Sequence, residues 1–198
     1  MNKDNRLAKS ILILTLFTVF LFLFLSGCTS NNTDNNPSNG NENWLENYTP
    51  VYSVSSGENG FWINFPSGQS VQHLTWVAES LEEKPVVFVC HRTGCQGCTP
   101  QADRVKALME TYGEDVVFYD LDDDYAGTAP ADILQKYYEA FYYDPNGGYN
   151  VIATTGVFTL VNDGGEVKIG WHSWEGNVAD AEMESWIQDA IYYYNVNK

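Results

Sequence analysis

Cys95 and Cys98 stand three positions apart, and the residues on either side of them restrict the folds open to this chain. Before them runs Val86-Val87-Phe88-Val89, an apolar stretch suited to a strand covered on both faces. After them, from Gln101 to Tyr112, apolar residues return at helical spacing, with Val105, Leu108, Met109 and Tyr112 on one face and Gly113 at the close. The order is strand, short loop, Cys-x-x-Cys, helix. A helix start carries unsatisfied N–H groups and partial positive charge, which favour a thiolate over a thiol. A cysteine there is a usable nucleophile. A second cysteine one turn later can attack the mixed disulfide and release the product. A permanent disulfide or a metal clip is the alternative use of such a pair.

The rest of the chain extends the same alternation. Val51–Val54 and Phe61–Phe65 are expected as strands, split by Ser55-Ser56-Gly57-Glu58-Asn59-Gly60. Ser70 is the expected N-cap of a helix whose face is Val71, Leu74, Ala78 and Leu81, stopped by Lys84-Pro85. Val116–Leu121 reads as a short buried parallel strand. A helix follows with Pro130 in its first turn and Ile133, Leu134, Tyr137, Tyr138 and Phe141 aligned, and a loop at Asp144-Pro145-Asn146-Gly147-Gly148 comes next. Gly156–Val161 and Glu166–Gly170 flank Asn162-Asp163-Gly164-Gly165, a strong hairpin signal. The last helix puts Met183, Trp186, Ile187, Ala190, Ile191 and Tyr194 on one face. Parallel crossovers followed by an antiparallel hairpin make an α/β chain with a central mixed sheet and helices on both faces.

The N-terminal residues predict where this domain resides. Lys3, Arg6 and Lys9 precede fifteen mostly apolar residues, Ile11 to Leu25. That run is short of the ~20 residues a spanning helix needs. Leu25-Ser26-Gly27-Cys28 follows at once and resembles the lipobox of bacterial and archaeal lipoproteins. The resemblance implies a signal peptide at 1–27, cleavage before Cys28 and a lipid on its sulfur. An uncleaved anchor with an incidental cysteine is the alternative. Residues 28–43, with seven Asn beyond Cys28, are expected as a disordered tether, and 44–198 as one folded domain. The domain is then extracytoplasmic, held at the cell membrane through its lipid.

A formal charge of −16 excludes nucleic acid as a partner, because a phosphate backbone needs Lys and Arg. With Cys28 lipidated, Cys90, Cys95 and Cys98 remain, an odd number that fits one redox pair plus one buried thiol. Cys90 ends the apolar strand and is expected in the core.

The element order, with Cys-x-x-Cys after the strand that begins at Lys84-Pro85-Val86, resembles the thioredoxin family over roughly residues 50–195. Gly156-Val157-Phe158-Thr159-Leu160 falls where that family has Gly-hydrophobic-Pro-Thr. The resemblance implies Cys95 as nucleophile and Cys98 as resolving thiol, with Val157 and Phe158 beside them as the substrate ledge. It also implies a membrane-tethered thiol–disulfide oxidoreductase acting on cysteines of extracytoplasmic proteins, with another thiol protein supplying or accepting electrons. Phe158 stands where the family keeps a cis-proline, Gly94 where a Trp often precedes the first Cys, and Val89 where a buried Asp lies. A trans bond is expected before Phe158, with its ring close to the Cys95–Cys98 pair.

Other candidates rank lower. Arg92 stands near enough in sequence to steady a thiolate. Cys90-His91 with Cys95 and Cys98 gives a set of soft ligands, but neighbours on a strand point to opposite faces. His172, between Trp171 and Trp174, is the distant histidine that a copper-delivering lipoprotein would need; that and a redox-inactive interaction module are the rival readings. No metal site is therefore assigned. Asp120, Asp122, Asp123 and Asp124 lack the spacing of a calcium loop and are expected in solvent. Tyr137, Tyr138, Tyr142 and Tyr143 cannot all be buried. No phosphate loop, dinucleotide fingerprint or Ser-His-Asp order is present, so no cofactor is expected.

Overall fold

All six residues of Val86–His91 are buried, and in the computed structural model of the chain the sheet is built around them. The structure describes residues 44–123, 127–145 and 153–198. The signal peptide, Cys28, the tether, Asp124 and the Asn146-Gly147-Gly148 loop lie outside the described residues. In chain order the elements are a 3-10 turn at Leu45–Asn47, β1 (Ser53–Val54), β2 (Gly60–Phe61), α1 (Thr75–Ser80), β3 (Val86–His91), α2 (Thr99–Tyr112), β4 (Val117–Asp122), α3 (Ala131–Ala140), a 3-10 turn at Phe141–Tyr143, β5 (Thr154–Asp163), β6 (Glu166–Glu175) and α4 (Asp180–Asn197).

The main sheet has the order β4-β3-β5-β6. β3 and β4 are parallel, joined by the α2 crossover; β5 runs antiparallel to β3 and to β6. Alternation along β3 divides the core in two. Val87 and Val89 join Val105, Tyr112, Met183, Trp186, Ile187 and Ile191 under α2 and α4. Val86, Phe88 and Cys90 join Val77, Leu81, Tyr137, Ala140 and Tyr143 under α1, α3 and the following turn. A strand covered on both faces needs the continuous apolar run seen in the sequence. All six residues expected on the inner face of α4 are buried.

Gly164 and Gly165, both at positive φ (62° and 95°), make the two-residue turn between β5 and β6, and the Gly165 N–H donates to Asn162 Oδ1 at 2.9 Å. Gly156 has a different reason. A Cβ there would stand 2.6 Å from Phe88 Cε1 and 2.8 Å from Phe158 Cε2. Gly156→Ala therefore overfills the core and is expected to cost about 1–3 kcal/mol. Thermal unfolding checks this; an unchanged midpoint would mean that the rings yield freely.

Several elements differ from expectation. The strands expected at 51–54 and 61–65 shrink to two residues each, pairing with one another, and Trp62 alone bridges to Trp171 on β6. The helix expected from Ser70 begins only at Thr75, because the Leu74 N–H is taken by the Tyr143 hydroxyl (2.8 Å) and Leu74 stays extended. β4 is an edge strand, mostly half-buried rather than fully covered. Pro130 caps α3 from outside its first turn, Met109 is 40% exposed, and Tyr138 and Tyr142 are exposed while Tyr137 and Tyr143 are buried.

Candidate active site

The pair sits where β3 gives way to α2. Residues 92–94 carry the chain out of the sheet, and Gly94, at φ 82°, makes the turn that returns it to the helix. Positive φ favours glycine over any residue with a Cβ, which accounts for the departure at this position. The Cys95 carbonyl then accepts from the N–H groups of Cys98 and Thr99, each at 3.1 Å, and from Thr99 Oγ1 at 2.9 Å. Cys98 is the N-cap of α2, with Pro100 in the first turn. Cys95 and Cys98 form a disulfide. Their exposure is unequal: Cys95 is half-buried, whereas Cys98 has no exposed surface.

Three carboxylates of β4 and its exit brace the approach to Cys95. His91 is 5% exposed, and its Nε2 lies 2.5 Å from Asp120 Oδ1; Lys106 of α2 approaches the other oxygen at 3.3 Å. Burial alone would raise the Asp120 carboxyl, but the bonds from His91 and Lys106 outweigh it and hold it below its ordinary value. Asp122 accepts from the Thr93 N–H (2.7 Å) and from its hydroxyl. Asp123 accepts from Arg92 Nε at 3.0 Å and Nη2 at 2.6 Å. The acidic run, expected in solvent, instead holds residues 91–93 as far as it is described. Arg92, a lower-ranked candidate for steadying a thiolate, is likewise drawn to Asp123, whose charge offsets its own.

Behind the disulfide lies a buried polar residue that the sequence did not single out. Gln101, with no exposed surface, donates from Nε2 to Thr155 Oγ1 (3.0 Å) and accepts at Oε1 from the Val178 N–H and Arg104 Nη1, each at 2.9 Å. Its place one turn beyond Cys98 on the inner face was the available signal.

The other candidates lie elsewhere. Phe158 pairs with Val86 and Val157 with Val87, at the far end of β3 from the cysteines. Thr154 is the residue opposite Cys90, so Phe158 is four residues, about 13 Å, further along the strand. Its ring packs on Tyr143 (4.8 Å) and Phe88 (5.6 Å), while Val157 faces the α2–α4 core. The expectation that Val157 and Phe158 flank the disulfide is corrected by this register. The β5 residues at the redox end are Thr154 and, just before it, buried Ala153. Cys90 is a buried thiol, pushed up by burial, with Sγ 3.9 Å from the Tyr137 carbonyl. His172 is stacked between Trp62 (4.0 Å) and Trp186 (4.3 Å), with Nδ1 2.8 Å from the Gly60 carbonyl. The register sets it level with Val87, away from the cysteines. Among the described residues no group of three or more His, Cys, Asp and Glu is arranged to hold a metal ion.

No family model matches the chain, and no curated protein does. Solved structures do. The germline-specific thioredoxin Deadhead of Drosophila melanogaster is 15% identical, over 56% of this chain and 85% of its own, with a TM-score of 0.34. Thioredoxin O2 of Arabidopsis thaliana, in its oxidised state, is 18% identical over 57% and 80%, at 0.35. The MTB dsbF structure, in mixed oxidised and reduced forms, is 16% identical over 56% and 83%, at 0.34. The strand order, the parallel β3–α2–β4 crossover, the β5–β6 hairpin and the position of the disulfide define a thioredoxin-like fold.

Proposed function

We propose that this protein is an extracytoplasmic thiol–disulfide oxidoreductase, tethered to the membrane by a lipid on Cys28, that acts on cysteines of other proteins. The observation that carries the redox assignment is the unequal exposure of a bonded pair at a helix start. Cys95 keeps part of its surface open, and Cys98 is enclosed. In the reducing direction, the Cys95 thiolate attacks one sulfur of a substrate disulfide, and the other leaves as a thiolate that takes a proton. Cys98, on losing its proton, attacks the Cys95 sulfur of the mixed disulfide and expels the second substrate thiol. The pair leaves oxidised by two electrons, and a dithiol protein must return them. In the oxidising direction the same steps run backwards. The tether rests on the Leu25-Ser26-Gly27-Cys28 pattern after a basic and apolar leader. Among the described residues no helix is long and apolar enough to cross a membrane.

Alkylation of the reduced protein tests the redox half. Cys95 is expected to react well below the pH of about 8.5 at which a free thiol ionises. Cys98 stays shielded, Cys95→Ser abolishes exchange, and Cys98→Ser accumulates mixed disulfide. A Cys95 that reacts only like a free thiol would remove the assignment. Mass spectrometry of the mature N-terminus tests the tether, with acyl chains expected on Cys28 and an intact Met1 counting against it.

A further inference from the structure

The first turn of α2 has no side-chain cap: Cys98 occupies the N-cap without such a bond, and Pro100 has no N–H to offer. In the oxidised protein the disulfide ties this turn to Cys95. Reduction removes that covalent tie and leaves only the hydrogen bonds to the Cys95 carbonyl, within the same loop. The polar links then running from residues 99–102 to other elements, among the described residues, are those of Gln101. It reaches Thr155 on β5 and the Val178 N–H ahead of α4. Arg104 extends the network, bonding both to Gln101 and to Asp180 at the start of α4. Every polar group of this buried side chain that is needed to bridge the three elements is engaged, so rotating it away would leave buried donors and acceptors unmatched.

We infer that Gln101 is a positioning residue for the redox pair, holding the Cys98 turn in the same place in the dithiol as in the disulfide. The inference rests on the oxidoreductase reading. A dithiol whose sulfurs are kept close closes more readily than one whose helix end relaxes, since the loss of freedom has already been met by the fold. Gln101 thus favours the disulfide form.

The experiment equilibrates the reduced protein with glutathione disulfide. Each closure converts one glutathione disulfide and the protein dithiol into two glutathione thiols and the Cys95–Cys98 bond. Gln101→Leu is expected to lower the equilibrium constant for closure about tenfold, which for a two-electron couple is about 30 mV. Thr155→Val should shift it the same way by less, and Thr155→Ser should restore the wild-type value. Thr159→Val is the control for a merely structural role. It removes the buried hydroxyl bond to the Ala190 carbonyl (2.6 Å) on the same face of β5, remote from the pair. It should lower the melting temperature and leave the constant alone. If Gln101→Leu does not fold, Thr155→Val decides. A folded Gln101→Leu or Thr155→Val with the wild-type constant, or an equal shift in Thr159→Val, overturns the inference. Wild-type protein that does not exchange with glutathione at all overturns the oxidoreductase assignment itself.

Discussion

Asp189→Ala is expected to lower the melting temperature by roughly 10 °C and to release the chain from Trp44 to Val54 from the body of the domain. Asp189 lies on the inner face of α4 with no exposed surface. Its carboxylate accepts from the Tyr48 hydroxyl (2.6 Å), the Tyr52 N–H (2.6 Å) and the Val51 N–H (3.1 Å). Tyr52 then stacks on Trp186 with ring centroids 3.7 Å apart, and its carbonyl accepts from the Tyr193 hydroxyl at 2.8 Å. Truncation strips three donors of their partner at about 1–3 kcal/mol each, with partial relief as water enters. A total near 4 kcal/mol, at about 2–4 °C per kcal/mol for a domain of this size, gives the expected shift. Asp189→Asn keeps an acceptor oxygen and should lose less than half as much. Hydrogen exchange should show amides 48–54 opening first in the Ala variant. Protection there equal to wild type would mean that packing alone holds the segment.

Acid should weaken the fold between about pH 6.5 and pH 4, before most carboxylates titrate. Burial, opposed by the bond to the Gly60 carbonyl, pushes His172 down to about 4, and burial pushes His73 to about 4 as well. A depressed histidine is neutral in the folded protein where the unfolded chain is already protonated. Stability is therefore full above pH 6.5 and falls as pH drops towards 4, since the unfolded state binds more protons across that window. For fully enclosed His172 the loss is about 3 kcal/mol; His73, half-buried, adds in the same direction. Asp189 acts with the opposite sign, because burial raises its carboxyl and protonation relieves a penalty there. Asp120, held low, gives up its contribution only at still lower pH. Urea unfolding at several pH values should show the decline, and His172→Phe should flatten it by half or more. An unchanged slope in that variant would place the acid sensitivity elsewhere.

The parts of this fold governed by apolar pattern were readable from the sequence, and the parts governed by long-range polar contacts were not. Val86–Val89 announced a doubly covered strand, and the Met183–Tyr194 face announced α4, because burial of that kind repeats at the period of the element. Asp189 and Gln101 look like ordinary surface residues of a helix. Their partners, Tyr48, Val51 and Tyr52 for one, Thr155 and Val178 for the other, arrive from distant parts of the chain. Leu74 lost its helix to a hydroxyl, that of Tyr143, 69 positions away. At the redox site the pair itself was legible from its place between strand and helix. The opposing strand was misjudged because Gly156-Val157-Phe158-Thr159 imitates a motif of the redox end, whereas the register sets Thr154 opposite Cys90. A strand's apolar residues reveal which face they occupy, while its register along a neighbour depends on pairing that no local pattern encodes.

Placing β4 at the rim of the sheet has a consequence for how copies of this molecule meet. A rim strand offers its outward backbone groups to any extended chain that comes alongside, and two identical rims can zip into a continuous sheet. Here the rim ends in Asp120 and Asp122, followed at once by Asp123. Copies aligned edge to edge would bring these anions towards one another in a protein already strongly negative. The carboxylates that steady the approach to Cys95 thus also discourage the strand beneath them from seeding fibres, so neutralising Asp122 should promote self-association as well as loosen the redox loop.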